Sequence, residues 1–130
     1  MSDPALALQG AIHSALAGAG VCGGRIYDSV PEEPEFPYVA IGTGDTVNAD
    51  TSCFDSSEVN ATVHVWSREV GWPEAKGIAG TIRALLNTEL AISGFRVVVA
   101  EHVITRWIDD PDGLTRHAVL EFRYLTDHEL

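Results

Sequence analysis

Between Phe95 and Thr126 the chain runs FRVVVAEHVITRWIDDPDGLTRHAVLEFRYLT, two long β-branched and aromatic segments on either side of DDPDG. Proline fixes one φ and glycine supplies a positive one, so DDPDG reads as a turn. Phe95 to Ile108 and Leu114 to Thr126 then read as the two arms of a hairpin. In the second arm Ala118, Leu120, Phe122 and Tyr124 fall on one face and His117, Glu121 and Arg123 on the other. Such a hairpin needs further strands or a helix layer to cover its apolar face.

The rest of the chain supplies both. From Glu58 to Trp66, Val59, Ala61, Val63 and Val65 alternate with Glu58, Asn60, Thr62, His64 and Trp66, the period of a half-buried strand. Tyr38 to Ile41 is a short strand, and Arg25 to Val30 a shorter candidate. Ser2 or Asp3 before Pro4 marks the start of a first helix, whose Leu8, Ile12 and Leu16 recur every four residues beside Ala5, Ala11 and Ala15. The glycines of GAGVCGG (Gly18 to Gly24) end it. Trp72 and Pro73 open a second helix, with Ala75, Ile78, Ala79, Ile82, Leu85 and Leu86 at helical spacing up to Asn87. The order α, β, β, β, α, β, β predicts one α+β domain over residues 1–130, a small, mostly antiparallel sheet with two helices packed on one face.

Two segments resist assignment to core. VPEEPEFPYVAIG (residues 30–42) packs Pro31, Pro34, Pro37 and Glu32, Glu33, Glu35 ahead of a strand. The prolines remove backbone donors and hold an extended path, a way to blunt or re-aim a strand at a sheet edge. GTGDTVNADTSCFDSS (Gly42 to Ser57) is polar and turn-rich, and reads as a projecting loop or hairpin.

Nineteen Asp and Glu against eight Lys and Arg give 130 residues a net charge of −11, and before residue 61 the only basic side chain is Arg25. Phosphate backbones and anionic membranes are held by Lys and Arg, so gripping either with the bulk surface is disfavoured. Cys22 and Cys53 have no CxxC spacing and read as two free thiols in a reducing compartment. No window approaches the roughly 20 apolar residues that span a bilayer, and no basic n-region precedes the first apolar run. The expectation is a soluble, unsecreted chain.

Chemistry finds little support. His64, His102 and His117 fall on different strands and His13 and His128 elsewhere, with no HExxH, HxH or Cys/His pair at ligand spacing. No Ser occupies a GxSxG elbow, and the carboxylate pairs Glu32/Glu33 and Asp109/Asp110 lie in turns where charge is solvated. The expectation is no enzyme, no cofactor and no metal. Large apolar rings in polar surroundings point instead to partner surfaces. The candidate interface residues are Glu32, Glu33, Glu35 and Phe36 in the proline-rich stretch, Asp45, Asp50, Phe54 and Asp55 in the projecting segment, and Trp66, Trp72 and Trp107 near element ends.

The succession ALALQGAI, GRIYDSVPEEPEFPYVAIG, VNATVHVWSREVGWPEAKGIAGTIRALLN and HAVLEFRYLT resembles the short tail-completion or tail-terminator proteins of long-tailed phages, above all the type found in gene transfer agents of alphaproteobacteria. The likeness covers nearly the whole chain and is most specific over Gly24 to Val39 and His64 to Arg83. It implies a tail-terminator-like fold and a structural virion protein assembled in the bacterial cytoplasm. In that role six copies form a ring at the head-proximal end of the tail tube, with the tube protein on one side and head-tail connector or stopper proteins on the other. DNA would slide through an acidic lumen without specific binding. A head-side stopper or adaptor of the neck is the alternative role, and a small cytoplasmic enzyme or ligand-binding domain the remaining one.

Overall fold

Residues 3–128 are described by the computed structural model. Ser2 lies outside them, but Asp3 acts as the helix-starting polar residue, its Oδ1 accepting the Ala5 N–H at 2.8 Å. Helix α1 (Ala5–Gly18) buries Leu8, Ile12 and Leu16. Ala11 and Ala15 pack beside that stripe, whereas Ala5 is exposed. Gly20 takes the left-handed φ of +71° that lets the chain leave the helix.

The strands are β1 (Ile26–Tyr27), β2 (Tyr38–Ile41), β3 (Asp45–Asn48), β4 (Ser56–Ser67), β5 (Phe95–Asp109) and β6 (Arg116–His128), with helix α2 (Pro73–Leu86) between β4 and β5. They form one sheet in the order β1-β2-β4-β6-β5, with β3 also paired to β4 beyond the end of β2. Every pairing is antiparallel except β1 with β2. The α+β reading holds, and so does the long hairpin. Its turn is clamped by Asp112, whose carboxylate accepts the N–H groups of Leu114 and Thr115 at 2.8 Å and the Thr115 hydroxyl at 2.7 Å, while Gly113 sits at φ +71°.

Two expectations change. The candidate strand Arg25 to Val30 pairs only at Ile26 and Tyr27, because the proline-punctuated path that follows leads away from the ladder. The segment Gly42 to Ser57 is the hairpin of its two alternatives: β3 pairs with β4 from Asp45↔Asn60 to Asn48↔Ser57, and only the tip projects. Gly44 permits this. The backbone there runs so close to β4 that a Cβ would stand 1.8 Å from the Asn60 carbonyl oxygen.

Both helices cover one face of the sheet. Leu8, Ile12, Leu16, Ile82 and Leu86 meet Val39, Val63, Val65, Leu120, Phe122 and Tyr124 in a single core. Tyr124 buries its ring and donates its hydroxyl to the Leu86 carbonyl at 2.7 Å, satisfying an acceptor that the end of α2 leaves open. Glu74, in the first turn of α2, accepts the hydroxyl of the fully buried Ser67 at 2.8 Å and so ties the helix start to the end of β4.

Candidate assembly surfaces

The eleven candidate residues do not converge. They fall on four parts of the surface set by the topology just described, two of which, around Phe36 and Trp66, are joined through Tyr38, whose ring stands 5.1 Å from Phe36 and 6.3 Å from Trp66.

One part lies beyond the β1 edge. Glu32, Glu33 and Glu35 are exposed in the connection from β1 to β2, and Glu33 takes a positive φ of 50°. Glu35 faces Arg25 at 3.7 Å, and Arg25 also donates to the Pro37 carbonyl at 3.0 Å, tethering the loop. Phe36 is half-buried, with the Arg68 guanidinium 4.2 Å above its ring.

A second part is the β3–β4 hairpin. Asp45 accepts the Asn60 amide at 2.6 Å on the paired arm, so it is bound into the hairpin rather than free at its tip. Asp50 accepts the Ser56 N–H at 2.8 Å, shaping the tip that carries Cys53, Phe54 and Asp55. Phe54 is 55% exposed. The tip and residues 89–92 and 95–97 wall a cleft of about 870 Å³ that also touches Asp127 and His128. Cysteine, histidine and carboxylate share this cleft without forming a catalytic set. The Cys53 sulfur lies 3.8 Å from Ser52 Oγ, and no hydrogen bond among the described residues joins it to His128. Asp127 is occupied by Ser56 at 2.6 Å and Arg96 at 2.9 Å, which hold its carboxyl below the usual range.

The tryptophans occupy both faces of the sheet. Trp66 lies on the face away from the helices, in a row that crosses the sheet: it stacks on Tyr38 at 6.3 Å and on His117 at 3.6 Å, and Tyr27 stands 6.1 Å from Tyr38. His117 Nε2 and His64 Nδ1 are 2.7 Å apart, a hydrogen bond that needs a neutral ring on at least one side. Burial and the neighbouring His64 push His117 down to about 4, against a weaker pull upward from Asp110; burial lowers His64 as well. On the helix side, Trp72 and Trp107 meet edge to face at 5.8 Å, with Lys76 over both rings at 5.9 and 5.2 Å. None of the three tryptophans joins the fully buried core.

Sequence reasoning picked out Trp107 but missed the rest of the β5 edge. Val98, Val103, Ile104, Trp107 and Ile108 are each 38–56% exposed. Register shifts between Val97 and Val99 and between His102 and Ile104 leave Val98 and Val103 as extra residues that bulge from the ladder. The signal was present: FRVVVAEHVITRWI breaks strict alternation twice, more apolar residues than one buried face can accept. Tyr27, Tyr38 and His117, the neighbours of Trp66, were equally unremarkable as isolated letters.

Aromatic and charged surfaces stand apart from one another on a helix-backed sheet, and no acid, base and nucleophile are brought together among the described residues. Comparison with known proteins gives the family. Residues 6–127 match the profile of Tail completion protein gp17, and the chain belongs to that family, which is one of structural virion proteins and not of enzymes. It is 27% identical over 101 residues to Tail completion protein gp17 of Bacillus phage SPP1, covering 77% of this chain and 75% of that protein. The solved structure of bacteriophage SPP1 gp17 superposes with a TM-score of 0.64 and 27% identity, over 92% of this chain and 88% of that one. A chain of the native gene transfer agent virion superposes with a TM-score of 0.86 over 98% of this chain and 99% of that one; at 24% identity, that likeness is one of fold. The expected resemblance to tail-completion proteins is met.

Proposed function

We propose that this tail completion protein acts as the tail terminator: a ring of six copies caps the head-proximal end of the tail tube. The ring ends tube polymerisation, offers its other side to the connector or stopper proteins of the head, and leaves a lumen for DNA. The observation that carries the reading is membership in the tail completion family from residue 6 to residue 127. The chemistry of the surface supports it. A net charge of −11 lets DNA slide past without the counterion release that would make it stick. Cyclic rings are built from two different patches on each copy, and this chain presents different surfaces at opposite edges of its sheet.

The test is light scattering of the purified protein together with imaging of particles made without it. A six-copy mass, and tails of uncontrolled length that fail to join heads, are expected. A chain that stays monomeric and is absent from purified particles would overturn the proposal. Localisation above the tube junction, against the head, would assign the chain to the stopper instead.

A further inference from the structure

Two charged surfaces stand at opposite edges of the sheet. At the β5 edge, Lys76 and Arg83 are exposed on α2, and neither has a carboxylate within 4 Å among the described residues. They lie on one helical stripe with the exposed Gly80 between them, where no side chain stands between the two cations. Lys76 sits over Trp72 and Trp107, and Arg83 lies near enough to His102 to help push its pKa down after burial. This is a cationic, aromatic patch beside β5 in a strongly acidic protein. At the β1 edge, Asp28, Glu32, Glu33 and Glu35 are exposed in one loop with Arg25 as their one close cation among the described residues, and Val30 beside them is 39% exposed.

Four strand spacings separate β1 from β5 in the order β1-β2-β4-β6-β5, roughly 19 Å at about 4.8 Å per spacing. The two patches belong to opposite rims of one chain and complement each other only between chains.

We propose that the acidic loop of one copy, centred on Glu32 and Glu33, docks against the Lys76–Arg83 patch of the next copy, with Val30 against the Trp107 side. The occupant is a second copy of this chain, argued from charge complementarity at opposite edges. Head-to-tail contacts of this kind close into a ring when the rotation per copy divides a full turn. The inference rests on the ring reading above and names the surfaces that make the ring.

The test uses two double variants of the full chain, Glu32→Lys with Glu33→Lys, and Lys76→Glu with Arg83→Glu, sized by light scattering beside the wild type. All four side chains are exposed, and circular dichroism checks each fold. Each variant alone is expected to lose the ring at concentrations where the wild type keeps it. An equimolar mixture is expected to restore it, because each reversed patch then meets its reversed mate. Should a reversal unfold the chain, Glu32→Gln with Glu33→Gln is the substitute, with the same expected loss. Rings that survive every variant would overturn the docking while leaving the ring reading standing. A wild type that forms no ring at any concentration would remove both.

Discussion

His117 is sandwiched between Trp66 and His64, and its charge state is set by that company. Its pKa is lowered to about 4 from an ordinary 6.5, so the folded chain binds fewer protons there than the unfolded chain does. The neutral pair's stabilisation is therefore complete above pH 6.5 and drains away as pH falls from 6.5 toward 4. His64, and His102 with Arg83 behind it, shift in the same direction. Unfolding midpoints measured from pH 7.5 to 4.5 are expected to fall through this window. His117→Phe, which keeps a ring on Trp66, is expected to flatten part of the fall. The lowered carboxylates of Asp112 and Asp127 titrate below 3.8, so their loss belongs to more acid solution. Gly44 offers a second residue-level test. A Cβ there collides with the Asn60 carbonyl, and every atom it meets is β4 backbone, which leaves no flexible side chain to yield. Gly44→Ala is expected to lower unfolding free energy by about 1–3 kcal/mol, and to lose hydrogen-exchange protection across β3 first. Gly77→Ala, on an exposed face of α2 with nothing within 4 Å, is expected to leave the fold intact and to raise stability by up to about 1 kcal/mol.

Among the elements, the β3–β4 hairpin separates support from projection. Its paired arms, Asp45–Asn48 and the start of β4, are part of the sheet, while the tip over residues 50–55 walls the 870 Å³ cleft and touches the end of β6 where the Asp55 carbonyl accepts the His128 N–H at 2.8 Å. Replacing that tip with an Asn-Gly turn is expected to leave the circular dichroism spectrum unchanged. Particle imaging is expected to show impaired joining of tail to head. A global loss of structure would instead make the tip part of the folding unit. Elements with strong local codes were legible in the sequence: the alternation of β4, the DDPDG turn and the two helical stripes each carry their own period. The arm β3 was not, because DTVN has a single apolar residue and owes its conformation to pairing with β4. The end of β1 was also hidden, since proline tells where pairing becomes impossible but not how early it stops. Candidate rings such as Trp66 and Trp107 were visible as anomalies. Their partners depended on cross-strand register, which no local window contains.

At the scale of the whole molecule, charge sorts partners. With one Arg before residue 61 and seven of the eight basic side chains after it, the chain is divided into a half that repels phosphate and a half that holds nearly all its cations. Those cations are mostly engaged: Arg96 with Asp127, Arg106 with Glu121, Arg116 with Asp109, and Arg123 with Glu58 and Glu101. Little remains to grip a duplex. In a mobility-shift assay at about 50 mM salt, where phosphate contacts are strong, no retention of duplex DNA is expected, and salt-sensitive binding would argue against a lumen built for passage. The two rims of the sheet add a further consequence. One rim, β5, is fifteen residues long, whereas the opposite rim, β1, is cut to two. On that opposite side only β1, with two residues, and β3, with four, offer outer edges, so the long β5 rim of one copy finds no mate of its own length there. Strand-upon-strand growth of this chain is therefore expected to stop at a pair of β5 rims, and Pro31, Pro34 and Pro37, which keep the short rim short, guard against longer stacks.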